Sequence, residues 1–468
     1  MFKSIFTNSI GTLFSRILGF VRDLLTASIL GANVYSDIFF VAFKLPNLFR
    51  RIFAEGAYAQ SFIPSFTASR NKAVFAAHIF VLFFFIIFLL TMLIQLFPFY
   101  AAKAIAIGFD HETLVLAQPF VALNFYYLLF IFVVSFLSAL LQYKEHFATT
   151  AFSTGLLNIS MIIALLLAYE KESIEVVYYL SYGVLFGGFL QFLSHFLMAK
   201  QKGIIKFLFG GFKHFFIKKE KVSDDKQQFK RSFFPAIWGN STAQVSAFLD
   251  TWLASFLVTG SISYLYYANR VFQLPLALFA IATSVALFPR ISRYIRHDKQ
   301  KEADAAFYKA FWFLASLLSF SLIGGYMLSE EIVWLLFERG AFERIDTRNT
   351  AFILEMYMIG LLPFGLSKLF SLQLYAQHRQ GEAAKIATYS LGANIILSLA
   401  LISPLGAVGL ALASSLSGLI LFIYTIKAYG AARFLAIISD KKALVLLLAC
   451  ALLIPILYLF KEMIHDYL

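Results

Sequence analysis

The residues of this sequence best suited to chemistry are arginines and acids inside long apolar stretches. A guanidinium group binds phosphate or carboxylate oxygens through two parallel hydrogen bonds. A charged group at the centre of a membrane-spanning helix costs roughly 2.5 to 3.5 kcal/mol, so it persists only beside a partner or a water-filled cavity. The candidate substrate-binding cations are Arg16, Arg22, Arg50, Arg51 and Arg270, and the candidate cavity acids are Asp23, Asp37 and Glu55.

The spacing of these charges indicates which of them share a helix face. Arg16 and Asp23 are seven residues apart, which places both on nearly one face of a helix. Arg51 and Glu55 are four apart, so a local ion pair is the alternative to a role in binding. If all the candidate charges share one cavity, the cations exceed the acids by about two. The surplus predicts a cavity that takes an anion, and a pyrophosphate group suits it.

The elements that must position these charges are transmembrane helices. The chain has 468 residues, of which 60% are hydrophobic and 14% charged. Soluble proteins average about 45 to 50% apolar residues, so a soluble globular enzyme is excluded. Apolar runs long enough to cross a bilayer recur along the chain. About thirteen spans are predicted near residues 4–29, 34–66, 74–97, 114–141, 147–168, 176–198, 229–256, 262–290, 303–326, 346–373, 382–400, 405–428 and 441–460.

The predicted fold is an all-α polytopic membrane protein with two six-helix lobes around a central cavity and one additional C-terminal helix. Because six helices precede the second group, both lobes begin on the same side of the membrane, as in repeats related by an axis along the membrane normal. The predicted domains are the N-terminal lobe (1–198), a cytoplasmic amphipathic linker (199–228), the C-terminal lobe (229–430) and the extra helix (431–468).

The net charge of +13 reflects topology. With a cytoplasmic N-terminus, the loops on that side hold about four times as many Lys and Arg residues as the opposite loops, which fixes the orientation. Nucleic-acid binding is therefore not predicted. The linker interleaves lysines with phenylalanines, which indicates a helix in the headgroup region attracted to anionic membrane lipids. A disordered, solvated linker is the alternative, most of all for residues 223–228.

The sequence lacks the motifs of metal and nucleotide chemistry. The only cysteine is Cys450, and the eight histidines form neither an HExxH nor a paired-Cys pattern, so no metal site is predicted. No GxxxxGK[ST] sequence occurs, which argues against ATP as the direct energy source. No catalytic residue and no cofactor are predicted.

A set of oxygen ligands inside the predicted spans is the candidate site for a coupling ion. The four residues are Asp250, Asn394, Ser398 and Ser414. Such oxygens could hold Na⁺ or H⁺ and couple transport to an ion gradient or to the membrane potential, which is worth about 2.3 kcal/mol per charge per 100 mV. The favoured alternative is ordinary hydrogen bonding between helices, with Asp250 protonated.

Three stretches of the sequence resemble the MurJ (MviN) lipid II flippase family. The first is FSRILGFVRD at residues 14–23, and the second is DIFFVAFKLPNLFRR at 37–51 followed by FAEGA at 53–57. The third is YANRVFQLP at 267–275 followed by LFP at 287–289, which is similar to the family's eighth helix.

The resemblance implies the multidrug/oligosaccharidyl-lipid/polysaccharide exporter fold, with a central cationic cavity. It implies a bacterial inner-membrane flippase that moves lipid II, the undecaprenyl-pyrophosphate-linked disaccharide pentapeptide, to the outer leaflet for peptidoglycan synthesis. It places the cavity arginines on Arg16, Arg22, Arg51 or its neighbour Arg50, and Arg270, with Asp37 and Glu55 as matching acids. Cell-wall synthesis proteins become candidate partners.

Two features depart from the family pattern. Family members usually have fourteen helices, whereas one span follows the twelve-helix core here, and Asn269 occupies a position where an acid is expected. Two alternatives share the fold: an exporter of another polyprenyl-linked oligosaccharide, and a multidrug exporter, against which the surplus arginines argue. A transferase acting on polyprenyl phosphates would need acidic clusters that hold Mg²⁺. The nearest pairs, Asp224-Asp225 and Glu330-Glu331, lie in loops on opposite predicted sides.

Overall fold

The computed structural model describes residues 2–54, 57–217, 222–297, 299–377 and 379–465. Within these residues it is built of helices and contains no strand. The chain folds into two compact units, Met1–Thr259 and Gly260–Leu468. The first unit contains α1 Phe2–Leu30, α2 Val34–Ala54, α3 Ala57–Ala68, α4 Lys72–Leu96, α5 Pro98–Ile105, α6 His111–Phe125, α7 Tyr127–Tyr143, α8 Ala148–Leu167, α9 Ser173–Gln201, α10 Ile204–Lys213 and α11 Ser223–Ala254.

The second unit contains α12 Ser261–Pro275, α13 Ala282–Arg296, α14 Gln300–Met327, α15 Ser329–Phe337, α16 Arg344–Ile359, α17 Leu361–Ala376, α18 Gln380–Tyr429, α19 Ala431–Ile438 and α20 Lys441–His465. A π-helical segment, Leu276–Ile281, joins α12 to α13 immediately after Pro275. Proline lacks the N–H that an α-helix needs and widens the turn at this point.

Within the described residues, nine helical segments are long and apolar enough to cross a membrane. Helices are present at all thirteen predicted spans, so the all-helical fold class is confirmed. The number of helices that cross the membrane, about thirteen, remains a prediction. The three predicted spans outside the nine are α1, α2 with α3, and α11. These three contain most of the charges that the sequence places inside spans.

In the first unit, α1 packs in parallel against α8 through small residues. A side chain at Gly11 would overlap Ala151, and Phe14 packs over Gly155. Helix α8 then packs against α9, where the Ser160 hydroxyl donates to the carbonyl of Gly183 at 2.7 Å. Small residues let the helix backbones approach closely and exchange such bonds, which is how helices associate inside a membrane.

An aromatic core holds α3, α4, α7 and α11 together. The ring of Tyr58 packs against Phe62, Phe83, Phe132, Phe229 and Phe233. The Ser69 hydroxyl donates to the carboxylate of Asp225 at 2.6 Å, so α11 runs antiparallel to α3. Residues 223–228 form the first turns of α11, and the disordered linker considered for them is therefore wrong. The boundary predicted at residue 229, where the second group of six helices begins, remains a prediction.

Helix α18 is a hairpin that contains two predicted spans. It reverses at Gly406, whose φ of 56° lies in the left-handed region that favours glycine. Ser390 donates to the carbonyl of Ser417 at 2.9 Å, and Asn394 donates to Ser414 at 3.3 Å. These antiparallel contacts confirm the turn predicted between residues 400 and 405.

Helix α20 runs parallel to α14 and is fixed to it at both ends. Tyr308, near the start of α14, donates to Asp440 at 2.5 Å, and this bond holds the pKa of the Asp440 carboxyl below its usual range. At the other end, Lys461 lies 3.4 Å from Glu331 and donates to the carbonyl of Met327. Helix α20 therefore ends on the side of the membrane where α14 ends.

Candidate functional site

Arg22 lies in the seam between α1 and α8 and is only 7% exposed. Its guanidinium lies 2.5 Å from the carboxylate of Asp23 and donates to the side-chain oxygen of Asn158 at 3.1 Å. The amide of Asn158 donates in turn to the carbonyl of Ser15 at 3.0 Å. This network compensates a buried charge with a carboxylate and an amide, the condition for holding an ion in a low-dielectric interior.

Asn158 is a site residue that sequence reasoning missed. It is 4% exposed and lies in the middle of α8. A polar amide at that depth marks a helix contact or a polar site, and this signal was available in the sequence. Its partner, 136 residues away in α1, was not.

The other arginines on α1 and α2 differ in exposure. Arg16 is exposed, whereas Arg50 is buried and donates to the side chain of Asn47 at 3.1 Å. Asp37 is buried in the first turn of α2. The backbone of Arg51 belongs to α2, but its side chain and all of Glu55 lie outside the described residues, so the predicted Arg51–Glu55 pair does as well.

Arg270 is held in α12 by Tyr266. Its guanidinium donates to the Tyr266 hydroxyl at 2.6 Å and lies 4.7 Å from the centre of that ring. This combines a hydrogen bond with a cation–π contact. Asn269, at the position where an acid was expected, accepts a hydrogen bond from Gln273 one turn later. Tyr266 is not among the residues selected from the sequence, although its place four residues before Arg270 was the available signal.

The candidate charges are distributed over both units. Arg16, Arg22, Asp23, Asp37 and Arg50 belong to Met1–Thr259, and Arg270 belongs to Gly260–Leu468. The structure brings Arg22 and Asp23 into one network. The common cavity for all five arginines remains a prediction.

The candidate cation ligands are also divided. Asp250 lies on α11 of the first unit, and the other three residues lie on the α18 hairpin of the second. Asn394 and Ser414 form a hydrogen bond between the two arms of the hairpin. This is the hydrogen bonding between helices that is the favoured alternative to an ion site. The hydroxyl of Ser398 is buried. The coupling ion remains a prediction.

The family model described as "Lipid II flippase MurJ" matches residues 26–468 of this chain. The chain belongs to the MurJ lipid II flippase family. The resemblance drawn from the sequence stretches is thereby confirmed, and it extends far beyond them.

Relatives and a solved structure of the MurJ family match nearly the whole chain. A "Probable lipid II flippase MurJ" from Helicobacter pylori (strain ATCC 700392 / 26695) is 51% identical over 452 residues, which cover 94% of this chain and 98% of the relative. One from Buchnera aphidicola subsp. Baizongia pistaciae is 32% identical, covering 98% and 89%. The solved structure "Lipid II flippase MurJ, inward closed conformation" aligns with a TM-score of 0.80 at 28% identity, covering 98% and 99%.

A solved multidrug transporter shares the fold. An inward-facing transporter of the MATE family of the MOP superfamily aligns with a TM-score of 0.70 at 11% identity, covering 93% of this chain and 99% of that chain. At this identity the likeness concerns the fold alone, so it does not favour the multidrug alternative. The MurJ family and the apolar helices together make the chain an integral inner-membrane protein with a transporter's role.

Proposed function

We propose that this chain translocates lipid II from the inner to the outer leaflet of the bacterial cytoplasmic membrane. The observation that carries the proposal is the 51% identity to the Helicobacter pylori flippase over nearly the full length of both chains. The two lobes would expose a site alternately to the two sides of the membrane, as in transporters built from repeats. Translocation requires no covalent chemistry, so the proposal assigns no catalytic residue.

We propose that the arginines bind the pyrophosphate while the polyprenyl tail stays in lipid. Arg16 is exposed, and Arg270 is oriented by a tyrosine, so both guanidiniums are suited to bind phosphate oxygens directly. Arg22 already bonds Asp23 and Asn158. Its contribution to binding would come with a rearrangement of the α1–α8 seam. Arg50 and Arg51 at the end of α2 complete the proposed set, with Asp37 and Glu55 as gating acids.

We propose that a monovalent cation gradient, of Na⁺ or H⁺, or the membrane potential resets the lobes. The candidate ligands are Asp250, Asn394, Ser398 and Ser414. The test is lipid II transport in proteoliposomes with and without Na⁺, a pH gradient and an imposed potential. Transport insensitive to all three would refute the coupling and leave the flippase assignment intact.

We propose a cytoplasmic N-terminus, in accord with the excess of Lys and Arg in the loops on that side. The parallel packing of α14 and α20 then leads the end of α20 to the outer side. Anionic membrane lipids and cell-wall synthesis proteins are the proposed partners besides lipid II. Labelling of single cysteines placed in the loops of a Cys450→Ser variant would test the orientation.

The decisive experiment is complementation of a flippase-depleted bacterium, with lipid II in the outer leaflet as the readout. We expect this chain to restore it, and Arg270→Ala to fail at wild-type protein level. Arg70→Ala is the matched control, because Arg70 is an exposed arginine in the turn between α3 and α4. Unrestored lipid II with the wild-type chain correctly inserted would refute the proposal.

A further inference from the structure

A cavity of about 620 Å³ opens between α4 and the start of α11. It lies entirely within the first unit, and the described residues that line it include none of the arginines considered above. Two helix faces and a pair of phenylalanines line it. Its volume falls in the range of about 300 to 1,000 Å³ that is typical of small-molecule sites.

The α4 wall of the cavity is largely apolar and faces outward. It consists of His78, Val81, Leu82 and Phe85, whose spacing of three, four and seven residues places them on one face of the helix. Phe85 is 57% exposed. The same face continues through other exposed apolar residues as far as Leu96, so from Leu82 it offers a track about 21 Å long at 1.5 Å per residue.

The α11 wall is polar and basic. It consists of Ser223, Lys226, Gln227 and Lys230, again spaced by three, four and seven residues on one face. Phe229 and Phe233, on the adjoining face of this helix, are buried in the aromatic core, which fixes the rotation of the helix. Among the described residues that line the cavity, the two lysines are charged and no carboxylate is present.

Phe215 and Phe216 close the cavity beside the lysines. The ring of Phe215 stacks on His78 with centroids 4.0 Å apart. The preceding helix α10 is held against the first turn of α4, where Gly211 packs on the carbonyl of Ala73. Because Ala73 is the second residue of this span, the basic end of the cavity lies at the end of the span, where headgroups lie.

We propose that this groove binds one anionic phospholipid of the cytoplasmic leaflet. The phosphate would lie against Lys226 and Lys230, and an acyl chain would follow the exposed face of α4. The positive charge of the two lysines favours a net negative headgroup over a zwitterionic one. The apolar track favours a lipid over a soluble phosphate. The proposal is independent of lipid II transport and rests on the cytoplasmic N-terminus proposed above.

The test is native mass spectrometry of the purified full-length protein titrated with dioleoyl phosphatidylglycerol or dioleoyl phosphatidylcholine. We expect the anionic lipid to bind more tightly. The variant Lys226→Gln/Lys230→Gln should bind it about 10- to 30-fold more weakly, as loss of two basic contacts implies. The matched control, Lys200→Gln/Lys206→Gln, removes two exposed lysines of the same basic segment and should bind as the wild type does.

A second variant tests the apolar half of the groove. Leu82→Trp fills the cavity and should weaken phosphatidylglycerol binding severalfold, whereas Leu166→Trp, at an exposed position of α8, should leave it unchanged. Any of four results would overturn the proposal. These are equal binding of the two lipids, equal loss of binding in both lysine variants, wild-type binding by Leu82→Trp, and displacement of the lipid by glycerol 3-phosphate.

Discussion

Two buried or partly buried arginines of this chain are held in different ways. Arg22, in the first unit, is bonded by the carboxylate of Asp23 and the amide of Asn158. Arg270, in the second unit, is bonded by the hydroxyl and the ring of Tyr266. The carboxylate of Asp23 neutralises the Arg22 guanidinium, whereas the hydroxyl and ring of Tyr266 orient that of Arg270. The Arg22 contacts therefore join α1 to α8, whereas the Tyr266 contacts fix the Arg270 side chain within its own helix.

The largest effect is expected when the Arg22 network loses its acid. Asp23→Asn leaves a buried guanidinium without its carboxylate, and loss of one member of such a pair costs about 3 to 5 kcal/mol. Thermal unfolding in detergent should show it as a lower transition temperature. Arg22→Leu/Asp23→Leu removes both charges and should be less destabilised than Asp23→Asn. Equal stability of the two variants would contradict this account of the seam.

Arg270→Ala should affect transport and leave folding nearly unchanged. Loss of one charge-assisted contact to a phosphate is worth about 1.5 to 3 kcal/mol, so lipid II transport should fall by roughly 10- to 100-fold. The unfolding temperature should stay close to that of the wild type. Arg270→Lys keeps the charge and loses the planar fork, so it should recover part of the activity. If Arg270→Ala were as unstable as Asp23→Asn, the two arginines would not differ in their effect on stability, and the comparison would fail.

Asn158→Ala should have a smaller effect than loss of the acid. It removes the acceptor for Arg22 and the donor to the carbonyl of Ser15, while the carboxylate of Asp23 still neutralises the guanidinium. We expect a loss of about 1.5 to 3 kcal/mol in the free energy of unfolding. Asn124→Ala, at a buried amide that bonds Ser181, is the comparison variant without a charged partner, and it should lose less.

The smallest effect is expected for Tyr266→Phe. The ring remains under the guanidinium and only the hydroxyl that accepts from Arg270 is lost, at a cost of about 1 kcal/mol. Lipid II transport should fall by about fivefold. Tyr266→Leu, which also removes the ring, should fall further. If both variants transport at the wild-type rate, Tyr266 does not orient Arg270.

The candidate charges could be selected from the sequence because charged residues inside apolar stretches are conspicuous. Arg22, Asp23 and Arg270 were selected from the sequence, and the structure gives each of them specific contacts. The residues that these side chains bond were harder to predict. Tyr266 lies on the same helix as Arg270 and could have been found from its spacing, but Asn158 contacts Arg22 across 136 residues, and helix periodicity carries no information on that pairing.

In the fold, too, local features could be predicted from the sequence and contacts between distant segments could not. The hairpin turn in α18 was predictable because Pro404 and Gly406 are local signals. The helical start of α11 was missed, since residues 223–228 are polar and carry no apolar periodicity. What stabilises this turn of helix is its position beside α3, where Asp225 accepts from Ser69, and that neighbour comes from a distant part of the chain.

The sequence by itself determined that this chain is a helical membrane protein of the MurJ family with arginines inside apolar stretches, because hydrophobicity, charge and motif are properties of neighbouring residues. Only the tertiary structure decided that Arg22 is held between α1 and α8, that α20 runs parallel to α14, and that lysines of α11 face an apolar stripe of α4. Each of these depends on which helices pack together, and packing is set by the complementarity of surfaces from distant segments.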